Sequence, residues 1–262
     1  MRNLSTILFL FSIVTLGNAQ ILKKNIPDKL VVVTFDDAPV SHYSFVGPLL
    51  KEFGFRATFF VCEFPPNYQD STLYMNWRQI KKLDEMGFEI GNHTQTHANV
   101  STLSQEQFNG ELDYIENKCD SLGITRPSSF AYPGYGINAK ALDFLKEKGY
   151  FFARAGGSRV YDPLVDHPYL IPSWAPDEGN RTEIMSALSE AKDGKIVVLT
   201  FHGIPDLEHP WVNTPPELFK EYVAYLSEHQ FKVIAVKDLH EYIDVSQAMK
   251  SIVPDFGKKL SN

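Results

Sequence analysis

Five side chains in this sequence have types and spacings that suit hydrolytic chemistry: Asp36, Asp37, His93, His97 and His202. The run Val31–Pro39, VVVTFDDAP, is a string of β-branched and aromatic residues that ends in two adjacent carboxylates and then Ala-Pro. Such a run fits a buried strand, and Ala-Pro fits its end at a loop. Side-chain alternation sends neighbouring residues in different directions, so one carboxylate can hold a cation while the other is free to move a proton. Left bare at a buried strand end, the two would repel and one would keep its proton. His93 and His97 are four residues apart, a spacing that lets both imidazoles face one point from a single helical turn. Two imidazoles and a carboxylate suit Zn²⁺ or another divalent ion, with positions left for water and substrate. Singly, an Asp-Asp pair also fits a solvated turn, and two histidines four apart also fit a solvated face. Their shared position after strand-like runs separates the two readings, and His202 follows a third such run, KIVVLTF.

These residues need a scaffold that brings strand ends together. Helical spacing covers Phe45–Phe53, Trp77–Met86, Ser104–Leu122, Ala139–Lys148, Glu183–Ala191 and Pro216–His229, and three of these segments run into a glycine, Gly54, Gly87 or Gly149. Strand-like runs cover Arg56–Cys62, Phe88–Gly91, Phe130–Gly136, Tyr150–Ala155, Lys195–Phe201 and Lys232–Val236. A long Pro- and Asp-containing loop reaches Asn180, and Val236–Tyr242 reads as a closing turn with helical character. Strands rich in Val, Ile and Phe, without strict polar alternation and each followed by a helix, predict an α/β fold with a parallel sheet covered by helices. In a parallel barrel the C-terminal strand ends converge on one face, where active sites sit. Asp36-Asp37, His93/His97, Pro133–Gly136 and His202 all follow such ends.

The chain begins with a leader pattern: Arg2, the apolar core Ile7–Leu16, and small residues at Gly17 and Ala19. It reads as a signal peptide over residues 1–19, so the mature chain is expected to start at Gln20 and to be exported, to a periplasm or to the medium. Residues 20–245 then form one catalytic domain, and 246–262 a loosely attached tail. The 243 mature residues suffice for a single α/β barrel, and no second long hydrophobic stretch predicts a membrane span. The formal charge is −7, or −8 once Arg2 is removed, an acidic balance that argues against nucleic acid or an anionic membrane as partner. Cys62 and Cys119 are the only cysteines; a disulfide and two buried thiols are both open, and the absence of Cys-x-x-Cys leaves a zinc ribbon and a thioredoxin-type site unsupported.

The motifs TFDDAP, NHTQTH and VLTFHG resemble those of the polysaccharide deacetylase, or NodB homology, domain of carbohydrate esterase family four, from about Lys29 to Leu239. The resemblance implies a distorted (β/α) barrel of the NodB type, binding one divalent metal, Zn²⁺ first and Co²⁺ or Ni²⁺ as alternatives. It implies hydrolysis of acetyl groups, chiefly N-acetyl, from a polysaccharide or oligosaccharide. By position, Asp36 resembles the catalytic base, Asp37 a metal ligand beside His93 and His97, and His202 the catalytic acid. Tyr135, in the turn begun by Pro133, resembles the residue whose backbone N–H supports the oxyanion. Trp174, Trp211 and Tyr132 are flat residues that suit either a sugar ring or a core.

The departures from that pattern are specific. Ala131 stands where the family commonly has an arginine paired to the base, and Arg154, at the next strand end, is the candidate replacement. The fourth motif's Asp-Trp has no counterpart. Thr200 replaces a leucine, which implies a more polar acetyl pocket. The loop Gly156–Asn180, with Asp177 and Glu178, is the expected seat of substrate preference, and His42, His167 and His209 read as solvated loop histidines. Two other functions fit the same scaffold: hydrolysis of a non-sugar, cyclic amide, and an inactive sugar-binding protein. A base and an acid around an open metal position argue against the last.

Overall fold

Strands and helices alternate along residues 20–262, which are the residues that the computed structural model describes; the leader reading falls on residues 1–19, outside them. The strands are β1 (Leu30–Phe35), β2 (Thr58–Val61), β3 (Glu89–Asn92), β4 (Ser129–Ala131), β5 (Phe152–Arg154), β6 (Val197–Phe201) and β7 (Lys232–Ile234). All pair in parallel, in the order β5-β4-β3-β2-β1-β6. Strand β1 is the hub. Its residues Val31–Phe35 pair with β6, while its other edge is shared, β7 taking Leu30–Val32 and β2 taking Thr34–Phe35.

The segment expected as a loop after β5 closes this sheet. Residues 170–174 run extended between β5 and β6: Ala155 N–H donates to Ile171 O (2.7 Å), Trp174 N–H to Val198 O (2.9 Å) and Thr200 N–H to Trp174 O (2.8 Å). Pro168 lies in the turn that precedes this segment and Pro172 removes a donor within it, so no regular ladder forms and the segment lacks a strand's pattern. The result is a distorted barrel with a seam.

The helices α1 (Gly47–Glu52), α2 (Trp77–Glu85), α3 (Gln105–Ser121), α4 (Ala139–Glu147), α5 (Arg181–Leu188), α6 (Pro216–Glu228) and α7 (Val245–Ser251) follow the sequence reading to within a few residues, α7 excepted. Asn76 with Gln79, and Ser104 with Gln107, form capping boxes that start α2 and α3. Among the described residues no helix is long and apolar enough to cross a membrane. Cys62 and Cys119 are both buried and unpaired.

Period-two alternation splits the core. Val31, Val33 and Phe35 pack with Leu50, Leu83, Ile184 and Phe219 of the outer helices. Leu30 and Val32 instead join Phe60, Ala131, Phe152, Val198 and Ile234 inside the barrel. Asp36 continues the interior face of β1 after Val32 and Thr34. Likewise His93 continues that of β3, Arg154 of β5 and His202 of β6. Gly91, one residue pair below His93, has to be glycine because a Cβ there would lie 2.4 Å from Phe60 Cδ1.

Residues 246–262 are not a loose tail. Val245–Ser251 is helical, Lys258 Nζ lies 2.7 Å from Asp166 Oδ1, and Gly156 N–H donates to Leu260 O at 3.0 Å. Their anchoring depends on partners some hundred residues upstream, which no local pattern records.

Candidate active site

The interior faces of four strands deliver their last side chains to one mouth of the barrel. Asp37, out of phase with Asp36, reaches the same place because its φ of +71° turns the chain back, a conformation that aspartate tolerates better than most residues. Alternation alone would have separated the two carboxylates; the left-handed turn brings both to His93. Asp37 Oδ1 lies 3.3 Å from His93 Nε2 and 3.3 Å from His97 Nε2, and Asp36 Oδ2 lies 3.8 Å from His93 Nε2. The predicted helical turn over His93–His97 is absent. Left-handed Thr94 (φ +62°) and His97 (φ +54°) fold a loop instead, pinned by Thr94 N–H on Asn92 Oδ1 (2.9 Å) and Ala98 N–H on Thr94 Oγ1 (3.0 Å).

Asp37, His93 and His97 form a group whose donor atoms all lie within 4.8 Å of one another. The three fit a divalent cation on their own chemistry. Asp37 Oδ1 is buried with no hydrogen-bond partner, and His93 Nδ1 donates to Ala131 O at 2.8 Å, which turns Nε2 toward the carboxylate. Burial, with the charge of His93, lowers the His97 pKa to about 4, so this imidazole is neutral and available as a ligand. Burial opposes a charge on Asp37 and on His93 alike, yet their mutual attraction, joined by His202 and Asp36, holds Asp37 well below the usual carboxylate range and His93 above its ordinary value. A cation held by the trio would take over the work of that proton.

Arg154 is wholly buried and its Nη2 sits on Asp36 Oδ2. The guanidinium carbon lies 5.6 Å from the Phe60 ring centre and 5.8 Å from that of Tyr135. His202 Nε2 lies 4.0 Å from Asp37 Oδ2. The backbone of His202 is gripped by the segment that follows Asp37: His42 Nε2–H donates to His202 O (2.9 Å), and Ser41 Oγ accepts from Ile204 N–H (3.0 Å). His42 is thus fully buried, against the expectation of a solvated loop residue. Its ring fills a gap between Phe35 and Phe59, at 5.2 and 5.4 Å, and burial lowers its pKa to about 4.

Around these groups lies a cavity of about 650 Å³, lined also by Phe64, Tyr132, Tyr135, His209 and Trp211. Trp211 is 71% exposed at its rim. Trp174 is not there: its side chain is in the core and its backbone bonds β6. Pro133 has no N–H to offer, and the Tyr135 N–H already donates to Tyr132 O at 3.2 Å, so that bond must be shared or released before it can serve an oxyanion. The Thr200 hydroxyl is spent inside the barrel on Ser173 Oγ (2.9 Å) and Thr34 Oγ1 (3.1 Å), and does not line the cavity. Asp177 lines it while its Oδ1 caps Gly179 and Asn180; Glu178 does not. His167 is buried elsewhere, accepting from Tyr169 N–H (3.1 Å), and His209 lines the rim beside Asp206 (3.2 Å). Phe64, Ser158, Lys259 and Asn262 also line the cavity, and no periodicity or spacing in the sequence marks them.

A parallel-strand barrel with a carboxylate and two imidazoles at its C-terminal mouth defines a hydrolase-type metal-site scaffold. The family model for polysaccharide deacetylase matches residues 23–153, half of the chain. A peptidoglycan-N-acetylglucosamine deacetylase from Bacillus cereus is 33% identical over 174 residues, 66% of this chain and 72% of that protein. The chain belongs to the polysaccharide deacetylase family. It spans 33% and 40% of the length of two other curated relatives that it matches. Among solved structures, a chitin deacetylase from Colletotrichum lindemuthianum superposes with a TM-score of 0.59 at 18% identity, over 84% of this chain and 93% of that one. A family-four pseudoenzyme from Bacillus anthracis gives 0.57 at 18%, over 82% and 66%. At such identity the likeness is one of fold alone.

Proposed function

We propose that this chain is an exported, metal-dependent deacetylase that hydrolyses acetyl groups, chiefly N-acetyl, of a polysaccharide or oligosaccharide. The observation that carries the reading is the convergence of Asp37, His93 and His97 beside the Asp36–Arg154 pair, with Asp37 Oδ2 4.0 Å from His202 Nε2. Asp37, His93 and His97 would hold the cation, Zn²⁺ first, with Co²⁺ or Ni²⁺ as alternatives. When bound, a divalent ion polarises the acetyl carbonyl and lowers the pKa of water from 15.7 to about 7. Asp36 is the base: Arg154 holds Oδ2, and Oδ1, which has no partner, accepts the proton of the attacking water. His202 is the acid that protonates the departing amine, with His42 fixing its carbonyl and Ser41 the N–H of Ile204 in the loop that follows. The relative from Bacillus cereus is named for N-acetylglucosamine in peptidoglycan, which supports an N-acetylated glycan here. The leader pattern of residues 1–19 supports export.

Acetate release by the chain from Gln20 onward, with and without chelator and added Zn²⁺ or Co²⁺, tests the reading. The substrates are chitooligosaccharides, poly-N-acetylglucosamine, peptidoglycan fragments and acetylated xylan. Chelator-sensitive release from the N-acetylated glycans is expected. Silence on all of them from metal-loaded protein would overturn the reading.

A further inference from the structure

Lys258–Asn262 lies against the mouth of the cavity, held there by specific side chains. Asn262 Oδ1 accepts from the N–H groups of Gly157 (2.8 Å) and Ser158 (3.1 Å) and from Ser158 Oγ (3.1 Å), while its Nδ2 donates to Tyr135 Oη (2.8 Å). One carboxamide therefore ties the loop after β5 to the turn after β4. The loop is shaped to receive it. A Cβ on Gly157, whose φ is +121°, would lie 2.3 Å from Lys259 O, and one on Gly156 would lie 2.9 Å from Asn262 N. Outside the cavity, Lys258 bonds Asp166 Oδ1, a carboxylate that Arg159 also holds. Lys259 and Asn262 line the cavity themselves.

The residue that Asn262 ties is not an incidental one. Tyr135 has φ +55°, directly after Gly134 at φ +55°, and a bulky side chain keeps that conformation only where its surroundings hold it. Its ring lies over the guanidinium of Arg154, which in turn holds Asp36.

We infer that Lys258–Asn262 is a strap belonging to the substrate site, with Lys259 and Asn262 forming part of the cavity wall and Asn262 acting as a positioning residue that holds Tyr135 over the Arg154–Asp36 pair. The inference rests on the deacetylase reading. Lys259 offers an ammonium with donors only, and Asn262 has one amide hydrogen beyond the bond to Tyr135, so the wall presents donors to the hydroxyl and carbonyl oxygens of a sugar.

The test is a double-mutant cycle, with N-acetylchitotetraose as the substrate. Asn262→Ala is expected to cut kcat/KM roughly tenfold, mostly in kcat, with metal content unchanged. Tyr135→Phe removes only the hydroxyl and should match it, and the double variant should be no worse than the weaker single. Lys258→Glu, placed against Asp166 and away from the cavity, should reproduce part of the loss by unseating the strap. Hydrogen exchange reads seating directly at Gly157, because the Ser158 N–H keeps a second acceptor in Ser173 O (3.1 Å): the Gly157 amide should be protected in the wild type and exposed in Asn262→Ala. An unprotected Gly157 amide in the wild type would overturn the inference, as would unchanged kinetics in Asn262→Ala with only the melting temperature lowered. A metal-loaded wild type inactive on N-acetylchitotetraose and on every other substrate class above would overturn the deacetylase reading instead. The strap would then be decided by calorimetry, and unweakened N-acetylchitotetraose binding in Asn262→Ala would remove it from the site.

Discussion

Asp36 has unlike surroundings on its two oxygens, Arg154 at Oδ2 and no hydrogen-bond partner at Oδ1. A carboxylate held by one oxygen keeps the other oriented, which is what a base needs. Asp36→Asn keeps the size and an acceptor for Arg154 but cannot take a proton. It should retain the metal while losing about 10²–10⁴-fold in turnover, by metal analysis and acetate release on the same sample. An active Asp36→Asn protein would sink the base assignment. His93→Ala should behave differently and lose metal and activity together. Arg154→Met leaves Asp36 buried and unpaired, at a cost of about 3–5 kcal/mol read from denaturant unfolding. Arg154→Lys restores the charge and should regain most of that stability, but not the planar fork, so turnover stays low. At this scale the sequence made Asp36, Asp37, His93, His97 and His202 legible, since each follows an apolar run. It did not mark His42 as buried, because a histidine in a turn looks the same whether or not a distant carbonyl receives it.

At the scale of the elements, alternation decides which side chains reach the mouth. β5 ends on an interior position and β1, β3 and β6 are each followed by one, and the layer beneath is filled by Phe60, Phe152 and the Thr34–Thr200–Ser173 hydroxyl chain. Gly91 is the point where this filling is tightest. Gly91→Ala should cost about 1–3 kcal/mol by shifting Phe60, measured as a lower denaturant midpoint at constant slope. The loss should shrink in a Phe60→Leu background; equal loss in both would show that Phe60 is not the clash. The segment 170–174 lies within the long Pro- and Asp-containing stretch expected as a loop up to Asn180, yet it supplies the seam that brings Trp174 to β6. A strand recognised only by its partners leaves no period in the sequence.

For the whole molecule, acid stability follows from buried imidazoles. Burial, helped by the charge of Lys146, lowers the His167 pKa from 6.5 to about 4. Above pH 6.5 the ring is neutral in both folded and unfolded chains. Between pH 6.5 and 4 the unfolded chain takes up a proton that the folded chain refuses, so stability falls as pH falls, by an amount on the order of 1–3 kcal/mol. His167→Asn keeps an acceptor for the Tyr169 N–H and should make melting temperature fall less steeply with pH across that window, leaving the slope due to His42 and His97, whose pKa values are lowered to about 4 as well. An unchanged profile would place the acid loss elsewhere.

The sequence by itself determined the parallel α/β barrel and the strand ends that carry its chemistry. Apolar runs, helical spacing and glycine stops are local signals, and the barrel follows from their order. Only the tertiary structure decided what meets across the barrel. Asp36 finds Arg154 at a separation of 118 residues, His42 finds the His202 carbonyl at 160, and Asn262 finds Tyr135 at 127. Trp174 goes to the core and the chain's last residues to the cavity for the same reason. Each position is set by the closure of the sheet and by the space left between distant side chains, and neither is written in any single stretch of the chain.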